Sequence, residues 1–154
     1  MSDKQVKIHS SDIKKQILIA DDEFINREIL STILKDTYEI LKAENGEETL
    51  RLMRENKLSL SAVLLDVLMP VKSGIEVLKE VKEDLELSKI PIIVMTSESE
   101  TEVESLSLGA SDFIPKPYPA PEVIQARVKR TIELSEDKDI IFYTERDPLT
   151  GLYN

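Results

Sequence analysis

An α/β fold, a parallel sheet with helices on both faces, is predicted by three observations. Five short β-like runs alternate with five helix-like segments along the chain. The runs are nearly all apolar, as strands covered on both sides must be. Turn signals separate the two kinds of segment at each change of period.

The β-like runs are 16–20, 38–43, 62–66, 91–95 and 112–114. Each is too short for a helix and rich in Ile, Leu and Val. The helix-like segments are 24–35, 47–56, 75–84, 100–108 and 121–134. In the first, Ile25, Ile29 and Ile33 with Leu30 and Leu34 recur at spacings of four and predict one apolar face. In the third, Ile75, Leu78 and Val81 recur every three. Breaks fall at Asn45-Gly46, Met69-Pro70 with Gly74, Gly109-Ala110 and Pro117-Tyr118-Pro119.

The 154 residues, 41% of them apolar, suit one domain with short extensions. A net charge of −10 opposes binding to nucleic acid or to an anionic membrane surface. With no cysteine, disulfides and thiolate chemistry are excluded. No apolar run approaches the length of a membrane span, and the N-terminus lacks the pattern of a signal peptide. These properties read as those of a soluble, cytoplasmic protein. The single histidine, His9, lies in a polar leader, residues 1–15, and reads as a solvated tail residue. A Ser-His or Cys-His catalytic couple is therefore not expected.

The first run ends in Asp21-Asp22 and the third in Asp66. Carboxylates avoid burial unless they are paired or bind a metal. In parallel α/β sheets the carboxyl ends of the strands converge on one crevice at the switch in strand order. Carboxylates gathered there repel one another by on the order of 3 kcal/mol per pair at about 5 Å and an effective dielectric near 20. Mg²⁺, which takes hard oxygen ligands and bridges to phosphate, relieves that repulsion. Asp66 is then placed as a nucleophile for a phosphoryl group. Thr96, closing the fourth run, could donate its hydroxyl to a phosphoryl oxygen. Lys116, after the fifth, could pair with Asp66 or the phosphoryl group. Singly, each has an ordinary reading as a helix start, a cap, a turn residue or a surface lysine. Four coincidences at successive strand ends favour the joint one.

The set Asp21-Asp22, Asp66 with Met69-Pro70 and Gly74, Thr96, and Lys116-Pro117 resembles a response-regulator receiver domain of two-component signalling. The successive intervals of 44, 30 and 20 residues, Asp22 to Asp66, Asp66 to Thr96 and Thr96 to Lys116, match as well. The resemblance covers about residues 16–135. It implies a flavodoxin-like (βα)₅ three-layer sandwich with strand order 2-1-3-4-5. It implies that Asp66 accepts a phosphoryl group from a histidine kinase. Asp22 would bind Mg²⁺ directly, Asp21 largely through water, and the backbone carbonyl of Leu68 would complete the protein ligands. Thr96 and Phe113 correspond to the residues that report phosphorylation, with Phe113 lacking the hydroxyl of the tyrosine often found there. Leu68 and Glu98 occupy positions that tune hydrolysis of the acyl phosphate. The family's usual homodimer face, helix 4, strand 5 and helix 5, falls roughly at Glu100 to Leu134.

Residues 136–154 read as a linker and the beginning of an output domain, although a helix continuing through Phe142 is an open alternative. Asp147 to Asn154 resembles the opening of a diguanylate cyclase (GGDEF) domain. Two rivals use the same acids. A haloacid-dehalogenase-type phosphatase usually has a second Asp two residues after its nucleophile, where this chain has Leu68. A pseudo-receiver that only binds proteins would not need the intact set Asp21, Asp22, Asp66, Thr96 and Lys116. The expected product is a signalling switch rather than a turnover enzyme.

Overall fold

A computed structural model describes residues 13–145, those from 138 onward by backbone alone. His9 and the segment Asp147–Asn154 lie outside the described residues. The strands are β1 (Lys15–Ala20), β2 (Tyr38–Ala43), β3 (Leu60–Asp66), β4 (Ile92–Thr96) and β5 (Asp112–Pro115). The helices are α1 (Phe24–Leu34), α2 (Gly46–Glu55), α3 (Gly74–Lys82), α4 (Ser99–Ser107) and α5 (Pro121–Glu145), with a short 3₁₀ turn at Leu87–Lys89.

The five strands pair in the order β2-β1-β3-β4-β5, all parallel, as expected for the flavodoxin-like sandwich. Side chains alternate across each strand, so β1 sends Leu18 and Ala20 to one face and Ile17 and Ile19 to the other. On the first face they meet Leu50 and Met53 of α2 and Val77, Leu78 and Val81 of α3. On the second they meet Leu30 and Leu34 of α1 and Ile124, Val128 and Ile132 of α5. Burying each such side chain contributes roughly 1.5–3 kcal/mol over leaving it exposed.

Local chemistry starts two of the helices. Asn45 accepts the Glu48 N–H at 2.8 Å ahead of α2. Ser73 and Glu76 form a reciprocal capping box at α3, which begins immediately after the loop carrying Leu68 to Lys72.

Two expectations need amendment. In α1 the buried residues are Arg27, Leu30, Ser31 and Leu34, whereas Ile25 and Ile29 are exposed. The four-residue repeat marked an apolar stripe, but tertiary packing turned its leading edge outward to bury Arg27. The last helix passes the expected end at Leu134 and runs unbroken to Glu145. Of the alternatives for this stretch, the described backbone takes the continuous helix. Among the described residues, no helix is long and apolar enough to cross a membrane.

Candidate phosphoacceptor and cation site

β1 and β3 are adjacent in the sheet, with Ala20 in register with Leu65. Asp21, Asp22 and Asp66 therefore leave the sheet side by side. One carboxylate oxygen from each lies within 4.8 Å of the other two. Asp21 is fully buried, Asp66 is 5% exposed and Asp22 stands at the solvent rim. Asp22 and Asp66 border a cleft of about 250 Å³ shared by Leu68, Thr96 and Lys116, whereas Asp21 is outside its lining.

Lys116 reaches in from the end of β5, its Nζ 3.2 Å from Asp66 Oδ1 and 3.4 Å from Asp21 Oδ2. The peptide bond to Pro117 is cis. Burial, then the charge of Asp21, push the Asp66 carboxyl up to about 6 despite the pull of Lys116. For Lys116 burial is the largest influence and favours the neutral amine, but Asp66 and Asp21 together outweigh it and raise the pKa. Three clustered carboxylates, two of them buried, form a hard-oxygen donor set that fits Mg²⁺. The Leu68 carbonyl accepts no hydrogen bond among the described residues, which leaves its lone pairs free. The Leu68 side chain is 68% exposed at the cleft mouth, and its N–H donates to Asp66 Oδ1 at 3.3 Å.

Thr96 is buried, and its Oγ1 accepts the Glu98 N–H at 3.1 Å. The hydroxyl both steadies the start of α4 and keeps its own proton to donate. Glu98 is exposed, and its carboxylate accepts from Thr101 Oγ1 at 3.0 Å, outside the cleft lining. Phe113 is half-buried beneath the Arg127 guanidinium, 5.7 Å from the ring centre, while Arg127 pairs with Asp112 at 3.0 Å. The structure thus brings Asp22, Asp66, Leu68, Thr96 and Lys116 to one cleft, with buried Asp21 joined to it through Lys116, while Phe113 and Glu98 are outside its lining.

Two contributors were not singled out from the sequence. Buried Arg27 donates to the Asp21 carbonyl at 2.7 Å, and Asp21 N–H is bonded to Ala43, so this acid is held from both sides. Tyr118 places its hydroxyl 3.8 Å from Met95 Sδ beneath the site. Burial, then Asp21, Asp66 and Glu23, push its phenol well above the ordinary range. The only sequence signal for Arg27 is a cation interrupting an apolar helix face. For Tyr118 it is adjacency to Lys116-Pro117.

Comparison with known proteins identifies the family of this fold. Residues 17–129 match the family model for the response regulator receiver domain. The chain is 38% identical over 123 residues to the transcriptional regulatory protein CpxR homolog of Haemophilus influenzae, covering 78% of this chain and 51% of that protein. The chemotaxis response regulator CheY4 of Vibrio cholerae superposes with a TM-score of 0.71 at 29% identity, covering 77% of this chain and 99% of that one. A "probable two-component system response regulator/GGDEF domain protein" gives 0.73 at 25% identity, covering 79% and 50%. The chain spans about half the length, or less, of the first curated relatives it matches. With the strand order, the acid-lined cleft and the matched residues in agreement, this chain belongs to the response-regulator receiver family of two-component systems.

Proposed function

We propose that Asp66 accepts a phosphoryl group from the phosphohistidine of a cognate histidine kinase in a Mg²⁺-dependent reaction. The observation that carries this reading is the Asp66 carboxylate at a strand end, beside the Lys116 ammonium and within reach of two further acids. An Asp66 oxygen attacks phosphorus, the P–N bond breaks, and the imidazole leaves with the electron pair and takes up a proton. Asp21, Asp22, Asp66 and the Leu68 carbonyl would hold the cation, which when bound neutralises charge on the phosphoryl oxygens. Lys116 supplies a second positive charge, and the Thr96 hydroxyl donates to the transferred group.

Thr96 and Phe113 form the switch that passes the change outward. Its first recipient is α4, which begins three residues after Thr96 and has Ser105 as its only fully buried side chain among the described residues. So shallow an attachment makes α4 inexpensive to move. Val103 and Leu106 of α4 and Val123 and Leu134 of α5 are exposed, which suits homodimerisation through α4, β5 and α5. The continuous α5 then leads toward an output domain. The Asp147–Asn154 segment and the likeness to a receiver/GGDEF protein favour a diguanylate cyclase there. The receiver works in the cytoplasm as a switch, with self-phosphorylation and autodephosphorylation its only chemistry.

The test is intact-protein mass after incubation with phosphoramidate and Mg²⁺, beside Asp66→Ala. Gain of one phosphoryl group by the parent alone is expected. A parent of unchanged mass would reduce the chain to a binding module.

A further inference from the structure

Leu68 shares a short loop, residues 67–73, with a residue in an unfavourable conformation. Val71 has φ of 69°, and the Lys72 N–H closes a tight turn onto the Pro70 carbonyl at 2.7 Å. A γ-turn with positive φ is rare, and a β-branched side chain makes it costlier. Such strain persists only where the surroundings over-determine it.

Lys72 is where those surroundings converge. Its carbonyl accepts the Gly46 N–H at 3.1 Å. The approach is so close that a Cβ on Gly46 would lie 2.2 Å from that oxygen. Its ammonium pairs with Glu80 of α3 and lies 3.8 Å from Glu47 of α2. Glu80 is itself held by Arg54 of α2 at 3.6 Å. The Lys72 side chain is only 20% exposed, so its ion pairs are less screened than those of an open surface. The start of the loop is fixed independently, by Val67 N–H to Met95 and Gly74 N–H to Val67. Between these anchors stand Leu68 and the strained turn.

We propose that Lys72 is a positioning residue for the cation-binding carbonyl of Leu68. By tying the loop to α2 through Gly46 and to the α2–α3 pair through Glu80 and Glu47, it holds the Val71 turn. The direction of the Leu68 carbonyl is set thereby. The inference rests on the reading that this carbonyl binds Mg²⁺.

The experiment is calorimetric titration of the whole chain with Mg²⁺, together with phosphoramidate labelling at limiting and saturating Mg²⁺. Lys72→Met should weaken Mg²⁺ about 10-fold, in the range typical of groups that orient a metal ligand. Its labelling should fall at limiting Mg²⁺ and recover at saturation. Lys72→Arg, which keeps the charge, should restore affinity to within about 2-fold of the parent. Val71→Gly accepts positive φ without strain, so Lys72→Met in that background should cost less affinity than in the parent. Glu80→Gln should repeat the defect of Lys72→Met more weakly. Parent affinity in Lys72→Met, or equal losses in the two backgrounds, would overturn the positioning role while leaving the receiver reading intact. A parent chain that binds no Mg²⁺ would overturn both.

Discussion

Lys116 Nζ lies 3.2 Å from Asp66 Oδ1, although 50 residues separate them in the chain. The same ammonium is 3.4 Å from Asp21, so it occupies part of the electrostatic role a cation would fill. Removing it leaves the acids with less competition for Mg²⁺. Lys116→Met should therefore bind Mg²⁺ about 3- to 10-fold tighter at neutral pH. The same variant should be labelled more slowly by phosphoramidate, because one charge facing the phosphoryl group is gone. Opposite movements of affinity and labelling rate, measured on one preparation, are the signature.

Asp66 couples stability to pH in the metal-free protein. Its carboxyl rises from an ordinary 3.8 to about 6 on folding, first through burial and then through Asp21. Between those values the folded state holds more protons than the unfolded state. Stability therefore falls as pH rises from about 4 to about 6, and stays lower above that. Asp66→Asn abolishes this loss. It should stabilise the metal-free protein by about 1–3 kcal/mol at pH 7, with the gain shrinking toward pH 4. Urea titrations at pH 4, 5.5 and 7 check the trend, and added Mg²⁺ should narrow the difference at pH 7.

Leu68 presents an apolar side chain at the mouth of the cleft, 68% exposed. It can neither accept from nor donate to a water approaching the phosphoryl group. Leu68→Asn supplies such a partner and should shorten the acyl-phosphate lifetime several-fold, a modest share of what general acid–base assistance can provide. Loss of phosphoryl mass with time, after the donor is removed, reads it directly.

Gly74 closes the loop against the strand that carries Asp66. A Cβ there would lie 2.3 Å from the Asp66 carbonyl oxygen and 2.8 Å from Val67 Cα, both backbone atoms that cannot swing aside. Gly74→Ala should lower stability by about 2–3 kcal/mol, at the upper end of overpacking costs. Labelling should drop as well, since the displaced backbone is that of Asp66 itself. Chemical denaturation and intact mass separate the two effects.

What could be read in the sequence is what short-range chemistry encodes. Strands such as Ile92–Thr96 are contiguous apolar runs, and their parallel pairing follows from the helices between them. Asp21, Asp66, Thr96 and Lys116 were legible because each stands at the end of a strand, and strand ends in such sheets meet. The α1 face was misread because a four-residue repeat records spacing but not which edge of the stripe a sheet will cover. Ile25 and Ile29 face outward because the buried Arg27 guanidinium bonds the Asp21 carbonyl, a contact spanning helix and strand end.

The order of elements and the acids at the ends of β1 and β3 were legible along the chain, since hydrophobic period and carboxylate placement are local properties. How closely those groups approach, that Tyr118 packs near them, and that Lys72 joins the loop after Asp66 to α2 and α3 came from the packing of distant segments. Glu47, Lys72 and Glu80 sit on three different segments with no motif linking them. Their association comes from packing α2 beside α3 on one face of the sheet, and no spacing along the chain records that distance.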